Sequence, residues 1–253
     1  MTYRAVLFDL DGTLYRGETP IAGAPEAVQR LAEAGLRVGY VTNNSTQTRE
    51  AFAAKLNHLG FPATVSDVIG TGYGAAELVR SQGIQNVAVL GETGLSLSMQ
   101  EAGLSVVDFE DAPEAVICGL NRQFTYDLLR RAMLAIRAGA RFVATNTDAT
   151  YPMEGGVLIP GSGSLIAAIR TCSETEPIVI GKPGPMMLEM LMKEFGVDPQ
   201  ETLMVGDRID TDIDAGRNAG CAVHLVLTGI ESVAPPDLEA SPTVVELVDE
   251  LLS

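Results

Sequence analysis

The stretch AVLFDLDGTLY, residues 5–15, is the most informative part of the chain, because an apolar strand runs directly into two aspartates, Asp9 and Asp11. Two carboxylates at a strand end are unfavourable unless a cation lies between them, or unless one attacks a substrate while the other moves a proton. Gly12 lets the chain turn sharply, and Thr13 offers a hydroxyl to an anion. On its own, the pattern also fits a strand that ends in an aspartate-rich turn.

Three later segments repeat this design. In each of them an apolar strand ends at a polar side chain that can bind a metal or a phosphate. Ligands bind at the carboxyl ends of the strands in an open parallel sheet, so four such ends with complementary chemistry indicate one shared site. The segments are VGYVTNNS (38–45), with Thr42, Asn43 and Asn44; PIVIGKP (177–183), with Lys182; and TLMVGDRIDTD (202–212), with Asp207, Asp210 and Asp212.

Strand and helix patterns alternate along the chain, which predicts an α/β fold with a doubly wound parallel sheet. Proline in a first helical turn and glycine after a last one mark several helix ends. The predicted strands of this sheet are 3–8, 37–41, a short one near Val68, 178–180, 203–205 and 222–226, and the predicted helices are 25–34, 46–59, 75–80, 186–195, 213–219 and 245–252.

The middle of the chain carries a strand and helix set of its own. It lies between the Thr42 and Lys182 segments, and the lysine strand is expected to resume the first sheet. We therefore predict a core domain made of residues 1–82 and 177–253, with an inserted domain at 83–176. The predicted strands of the insert are 87–90, 115–117 and 141–144, and its predicted helices are 95–102 and 126–138.

Composition narrows the classes of function. The chain has 253 residues, 46% of them apolar, and a formal charge of -16 at pH 7, which argues against a nucleic-acid polymer or an anionic membrane as partner. We expect neither a signal peptide nor a membrane span, because the apolar run before Asp9 is short and no run comes near the roughly 20 apolar residues of a span. Three widely spaced cysteines favour free thiols in a reducing compartment, so we expect a cytoplasmic protein. The cysteines are Cys118, Cys172 and Cys221.

The order of the four polar strand ends resembles the haloacid dehalogenase (HAD) superfamily of phosphatases. That pattern has DxDGT first, a Ser or Thr at the end of the second strand, then a lysine, and GDxxxxD last. The TNNS segment and the stretch ATNTDATYP (144–152) resemble subfamily IIA, the NagD-like and 4-nitrophenylphosphatase-like enzymes. The resemblance implies a Rossmann-like core with an inserted α/β cap of the C2 type, and relatives often pair through this cap, so a homodimer is one option.

A carboxylate can attack phosphorus, and Asp9 is our candidate nucleophile, which would form an aspartyl-phosphate. Its charge would repel a phosphate dianion without a cation, and Mg²⁺ fits because it prefers oxygen ligands and bridges to substrate phosphate. We expect the Asp9 and Asp207 carboxylates as ligands, and the resemblance adds the Asp11 backbone carbonyl. Asp212 is expected to anchor a metal-bound water or Lys182, and Asp210 to be a solvated carboxylate.

The remaining roles follow from the chemistry of phosphoryl transfer. Asp11 is the expected general acid and base, protonating the leaving oxygen and then deprotonating the attacking water. The expected phosphoryl-binding groups supply charge stabilisation. They are Thr42, Lys182, the amides of Asp11 and Asn43, and the residues Gly12 and Asn44.

The insert offers a second set of candidates. Asn146, Thr147 and Asp148 form a polar turn after a strand, and such residues often serve only backbone bonding. The resemblance instead implies a loop that closes over the site and contacts the leaving group. Arg122 follows Asn121, where several relatives have an aspartate, and is either a contact for an anionic leaving group or an exposed side chain.

These observations predict a Mg²⁺-dependent phosphatase acting on a small phosphorylated metabolite. Nucleoside monophosphates, phosphoglycolate, sugar phosphates and 4-nitrophenyl phosphate all remain open as substrates. One alternative is a phosphotransferase or mutase on the same core, with an alcohol as acceptor. Another is a regulatory metal-binding module, whose signature would be the loss of Asp9, Asp11 or Lys182. The two histidines, His58 and His224, are expected to be structural.

Overall fold

The computed structural model describes residues 3–152 and 157–253, which form two compact units. The first comprises the chain up to Thr42, Arg49–Ile69 and Lys182–Ser253, and the second comprises Asn43–Thr48 and Gly70–Gly181. The strands are β1 (Ala5–Phe8), β2 (Tyr15–Arg16), β3 (Thr19–Pro20), β4 (Arg37–Thr42), β5 (Val68–Gly70), β6 (Asn86–Leu90), β7 (Ser105–Val106), β8 (Ala115–Cys118), β9 (Arg141–Ala144), β10 (Thr150–Pro152), β11 (Leu158–Pro160), β12 (Ile178–Val179), β13 (Thr202–Gly206), β14 (Ala222–Val226) and β15 (Ala240–Ser241). The helices are α1 (Ala24–Glu33), α2 (Arg49–His58), α3 (Thr71–Ser81), α4 (Thr93–Glu101), α5 (Tyr126–Arg137), α6 (Ser162–Ser173), α7 (Met186–Phe195), α8 (Asp214–Asn218) and α9 (Val244–Leu251).

The main sheet of the first unit has the strand order β15-β14-β13-β1-β4-β5. Its central pairs, β1 with β13 and β1 with β4, are parallel. Val6 and Phe8 face one side, in a core cluster with residues of α1 and α9. Gly39 of β4 lies against Leu7 and against Leu191 of α7 on the other side. Because helices cover both faces, every residue of β1 and β13 is buried.

The second unit is built on another parallel sheet, with the order β12-β9-β8-β6-β7. One face packs against α5 and α6 through a cluster that includes Val116, Phe142, Ile136 and Ile169. Helix α4 contacts β6 and β7, and α3 packs against α4. The predicted fold class, an α/β core with an inserted α/β domain, is confirmed.

The two units divide the chain differently from the predicted boundaries. Helix α3, which the sequence assigns to the core, packs against α4 and belongs to the second unit. Strand β12, expected in the core sheet, instead pairs with β9 in the second sheet. The hexapeptide Asn43–Thr48 also belongs to the second unit. The pattern of a short apolar strand does not state which sheet it joins, and this explains the difference at β12.

Among the described residues, no helix combines the length and apolar character needed to cross a membrane.

Candidate active site

The parallel pairing of β1 and β13 brings two predicted aspartates to one edge of the sheet. Phe8 pairs with Val205, and the backbone N–H of Asp9 donates to the carbonyl of Val205 at 2.9 Å. The pairing therefore continues one residue past β1. Asp207 directly follows Gly206, the last residue of β13.

Three carboxylates meet there. One side-chain oxygen from each of Asp9, Asp207 and Asp212 lies within 4.8 Å of the other two. In the ranges 3–152 and 157–253, no other group of three or more His, Cys, Asp or Glu side chains comes together in this way. The orientation of the Asp212 carboxylate is fixed by a hydrogen bond, in which the backbone N–H of Arg208 donates to its Oδ2 at 3.1 Å.

The ammonium group of Lys182 lies among these carboxylates. Its Nζ is 2.5 Å from Oδ1 of Asp9 and 2.7 Å from Oδ1 of Asp212, and it donates to the carbonyl of Val41 at 3.2 Å. The side chains of Lys182 and Asp212 are only 2% exposed, and that of Asp9 is 13% exposed. A buried charge pair of this kind is not a general stabilising device, so its presence at a strand end points to a site.

The electrostatics show an excess of negative charge. Burial raises the pKa of Asp9 well above its ordinary value, and Asp212 and Asp207 add to the rise while Lys182 opposes it. Burial, followed by repulsion from Asp212, likewise raises the pKa of Asp207. Burial would lower the pKa of Lys182, but Asp212 and Asp9 outweigh it and the pKa is raised. Three carboxylates facing one ammonium group leave negative charge that a divalent cation would neutralise.

The sequence singles out Thr13 and Gly12 but not Ile230, and all three surround the Asp207 carboxylate. The hydroxyl of Thr13 lies 3.2 Å from Asp207 Oδ1 and 3.4 Å from Asp9 Oδ2, so the anions that it contacts are these two carboxylates. The backbone N–H of Ile230 donates to Asp207 Oδ2 at 2.8 Å. Gly12 has φ +95°, and a Cβ there would stand 2.7 Å from Asp207 Oδ2. A side chain at this position is excluded by both the backbone angle and the carboxylate.

Asp11 and Asp210 are not members of the carboxylate cluster of Asp9, Asp207 and Asp212. Partial burial raises the pKa of Asp11, against an opposing effect of Lys55. The side chain of Asp210 is 71% exposed and pairs with Arg208 at 2.9 Å. The Arg208 hydrogen bond lowers the pKa of Asp210. Asp210 is thus a solvated carboxylate, as the sequence predicts.

The other predicted residues lie at the end of β4 and in the second unit. Thr42 is the last residue of β4 and is buried. In the second unit, the side-chain amide of Asn43 donates to Asp148 Oδ2 at 3.3 Å, and that of Asn146 donates to the backbone carbonyl of Asn43 at 2.8 Å. Thr147 is exposed. Within the second unit, the structure therefore places Asn43 beside the polar turn of the insert.

Two further loops of the second unit contain predicted candidates. The side chain of Asn44 accepts hydrogen bonds from the backbone N–H and the hydroxyl of Thr46, at 2.8 and 2.7 Å. The side chain of Arg122 pairs with Glu92 at 3.4 Å. Asn44 thus shapes its own turn, and Arg122 has a carboxylate partner within the second unit.

Comparison with known proteins places this site in a family. The model of the haloacid dehalogenase-like hydrolases matches residues 6–105, and a second HAD-hydrolase-like model matches residues 179–252. The chain is 41% identical over 230 residues to the 5'-nucleotidase YutF of Bacillus subtilis, with 90% of this chain and 89% of the relative covered.

Solved structures agree with the family models. A p-nitrophenyl phosphatase from Archaeoglobus fulgidus superposes with a TM-score of 0.93 at 30% identity, covering 99% of this chain and 100% of the other. A glycerol phosphate phosphatase from Mycobacterium tuberculosis, solved in complex with magnesium, gives a TM-score of 0.85 at 38% identity, covering 96% of this chain and 76% of the other.

The chain belongs to the haloacid dehalogenase-like hydrolases. It is a phosphatase, an enzyme that hydrolyses phosphoric monoesters, and the predicted resemblance to the 4-nitrophenylphosphatase-like subfamily is confirmed.

Proposed function

We propose that this phosphatase depends on Mg²⁺ and hydrolyses a small phosphomonoester through an aspartyl-phosphate on Asp9. The observation that carries the proposal is the cluster of Asp9, Asp207 and Asp212 around the buried ammonium group of Lys182. Its components are the parts that phosphoryl transfer needs: a nucleophile, fixed positive charge and oxygen ligands for a cation.

The donor set fits a hard divalent cation. The side-chain oxygens of Asp9 and Asp207 come close together. Burial, with repulsion from neighbouring carboxylates, raises the pKa of both carboxyls, so their ionised forms need a compensating positive charge. Mg²⁺ takes oxygen ligands, often one or two carboxylates together with substrate phosphate. We assign Asp9, Asp207 and the backbone carbonyl of Asp11 as its protein ligands. When bound, Mg²⁺ neutralises charge between the carboxylates and the substrate phosphate.

Asp9 attacks phosphorus in this mechanism. Lys182 holds its Oδ1 at 2.5 Å, and we assign Oδ2 as the attacking oxygen. Asp212 acts indirectly, because its contact with Lys182 keeps the ammonium group in place. Asp11, two residues after the nucleophile, protonates the leaving oxygen and then takes a proton from the water that splits the phosphoenzyme.

The phosphoryl oxygens are bound by neutral donors and one cation. We assign this role to Thr42 and Lys182, to the amides of Asp11 and Asn43, and to Gly12 and Asn44. The polar turn Asn146, Thr147 and Asp148 is assigned to the leaving-group side. Fixed donors of this kind stabilise charge that develops in the transition state.

We infer a small phosphorylated metabolite as the substrate. The relatives act on different small esters by name: a nucleotide, a glycerol phosphate and a nitrophenyl phosphate. The common part is the phosphomonoester, which the phosphoryl-binding residues named above hold in our proposal. A cytoplasmic setting follows from the three free cysteines, and pairing through the second unit stays a prediction.

Hydrolysis of 4-nitrophenyl phosphate tests the mechanism. We expect turnover with Mg²⁺, loss of turnover with a chelator, and restoration when Mg²⁺ is added back. Asp9→Asn is expected to lose activity, whereas the same isosteric change at the exposed Asp210 is expected to leave it unchanged. Turnover that persists in the chelator or in Asp9→Asn would contradict the mechanism. Product analysis with added sugar acceptors separates hydrolysis from phosphoryl transfer to an alcohol.

A further inference from the structure

The hexapeptide Asn43–Thr48 is docked on the carboxyl edge of the second sheet. A Cβ on Gly181 would stand 2.6 Å from Asn43 Oδ1, and one on Gly119 would stand 2.8 Å from Ser45 Oγ. A Cβ on Gly94 would collide with the backbone carbonyl of Thr46. The strand order of this sheet reverses between β6 and β8, the place where such sheets bind ligands. Here a segment of the same chain lies at that edge.

Two buried side chains hold one backbone carbonyl of this segment. The hydroxyl of Thr71 and the side-chain amide of Asn146 both donate to the carbonyl of Asn43, at 2.9 and 2.8 Å. Thr71 is fully buried and Asn146 is 5% exposed. The Oδ1 of Asn146 accepts from the Ser162 hydroxyl at 2.6 Å and from the backbone N–H of Asp148 at 3.1 Å, so the orientation of its amide is determined.

These contacts fix Asn43 at two of its four Cα substituents. The carbonyl is held by Thr71 and Asn146, and the side chain is held by Asp148 at 3.3 Å. At a tetrahedral carbon, fixing two substituents fixes the direction of the bond to the backbone nitrogen. Because peptides are planar and trans, the held carbonyl also fixes the direction of the Asn44 N–H.

We propose that Asn146 and Thr71 are positioning residues for the phosphate-binding amides of Asn43 and Asn44, which they hold through the backbone of Asn43. The proposal rests on the proposed function, in which Asn43 and Asn44 bind the phosphoryl group. It gives Asn146 a role different from direct contact with the leaving group, because both ends of its buried amide are engaged inside the second unit.

The test compares isosteric pairs in the full-length enzyme. Thr71→Val removes the hydroxyl donor and keeps the shape, whereas Thr71→Ser keeps the donor. Asn146→Asp replaces the donating nitrogen with an oxygen, and Asn86→Asp makes the same change at an exposed residue of the second unit. The measurements are KM and kcat for 4-nitrophenyl phosphate, the inhibition constant of inorganic phosphate, and Tm.

We expect Thr71→Val to raise the inhibition constant of phosphate and the KM about fivefold, and Asn146→Asp to raise them about tenfold or more, as the loss of a buried hydrogen bond implies. Thr71→Ser and Asn86→Asp are expected to match the wild type. A purely structural role would lower kcat and Tm and leave the phosphate inhibition constant unchanged. That result, or equal defects in Thr71→Val and Thr71→Ser, would overturn the proposal.

If Asn146→Asp does not fold, the Thr71 pair decides the question alone. Failure of the proposed function has a different signature, because Asp9→Asn would then retain activity. This outcome does not depend on the inhibition constant of phosphate in the wild type. If Asp9→Asn loses activity but Thr71→Val leaves KM and the inhibition constant of phosphate unchanged, the phosphatase mechanism stands and the positioning role is rejected.

Discussion

Lys182 is the residue whose surroundings decide the chemistry of the first unit. It is one of only three lysines in the chain, and its ammonium group contacts the carboxylates of both Asp9 and Asp212. Removing one partner of a buried charge pair leaves the others uncompensated and costs about 3–5 kcal/mol. The residue thus serves both the stability of the metal-free fold and the proposed binding of phosphate.

Lys182→Met is therefore expected to lower the free energy of unfolding by about 3 kcal/mol in the presence of a chelator. Its kcat/KM should fall on the order of a thousandfold. Urea denaturation and phosphatase assays measure the two effects. Lys193→Met is the matched control, because Lys193 is exposed on α7 and should change neither quantity. A metal-free Lys182→Met protein as stable as the wild type would show that the carboxylates do not need the ammonium group.

For single residues, the sequence predicts the charged side chains of the site but not all the uncharged groups that hydrogen bond to the site. Asp9, Lys182 and Asp207 stand out because polar groups interrupt apolar strands. The hydrogen bond from the backbone N–H of Ile230 to Asp207 cannot be predicted, because every residue except proline has such a donor. The hydroxyl of Thr228 donates to the carbonyl of Gly12 at 2.6 Å across 216 residues of chain, a contact that only the folded sheet creates.

Strand β14 carries a buried titratable side chain, His224, in the first unit. His224 is 5% exposed and hydrogen bonds with Ser241 Oγ of β15 at 2.8 Å. Burial lowers its pKa, although Glu239 and Glu250 act in the opposite direction. Since the unfolded chain takes up this proton near pH 6.5 and the folded chain only at lower pH, the stability is complete above about pH 6.5 and falls as the pH drops below it.

The free energy of unfolding of the wild type is thus expected to decline as the pH falls below about 6.5. His224→Gln should flatten this decline, whereas His58→Gln, a change at an exposed residue at the end of α2, should leave it in place. Urea titrations at several pH values give the slopes. Equal slopes for His224→Gln and the wild type would show that His224 is not the group responsible.

Element prediction succeeds where the pattern is strong and local. Helix α7, with its run of methionine and leucine, and strand β14 have the predicted ends. Helix α6 is missed, because it begins Ser-Gly-Ser and glycine is a poor helix former. Its Ile166 and Ile169 nevertheless pack into the core of the second unit, so tertiary burial outweighs the weak propensity.

At the scale of the whole molecule, excess negative charge is expected to link stability to the proposed cation. The formal charge is -16, and the raised pKa of Asp207 shows that its ionised form is disfavoured in the fold without metal. A ligand that binds only the folded state stabilises it in proportion to the logarithm of its concentration. Metal should therefore act on unfolding as well as on catalysis.

Saturating Mg²⁺ is expected to raise the Tm of the wild type by roughly 5–10 °C at a hundred times its Kd. Asp207→Asn should lose most of this rise, yet in a chelator it should unfold no earlier than the wild type, because one repelling charge is gone. Asp210→Asn should behave as the wild type in both conditions. Thermal unfolding followed by circular dichroism provides the comparison, and a full Mg²⁺ response in Asp207→Asn would exclude this residue as a ligand.

The overall organisation could be predicted because four widely separated segments share one design and occur in the order that marks the family. The boundaries of the insert were harder to place. Which sheet receives β12, and which unit holds Asn43–Thr48, depends on contacts between residues about 35 to 140 positions apart. Local patterns contain no information on such pairings.

The docking of Asn43–Thr48 has a consequence for protein engineering. The backbone passes between the units at four junctions, after Thr42, Thr48, Ile69 and Gly181. A chimera that takes only residues 70–181 from a relative would leave this chain's own hexapeptide against the relative's residues at positions 94, 119 and 181, which are glycines here. Exchanging the second unit between such enzymes therefore requires that both of its segments, 43–48 and 70–181, move together.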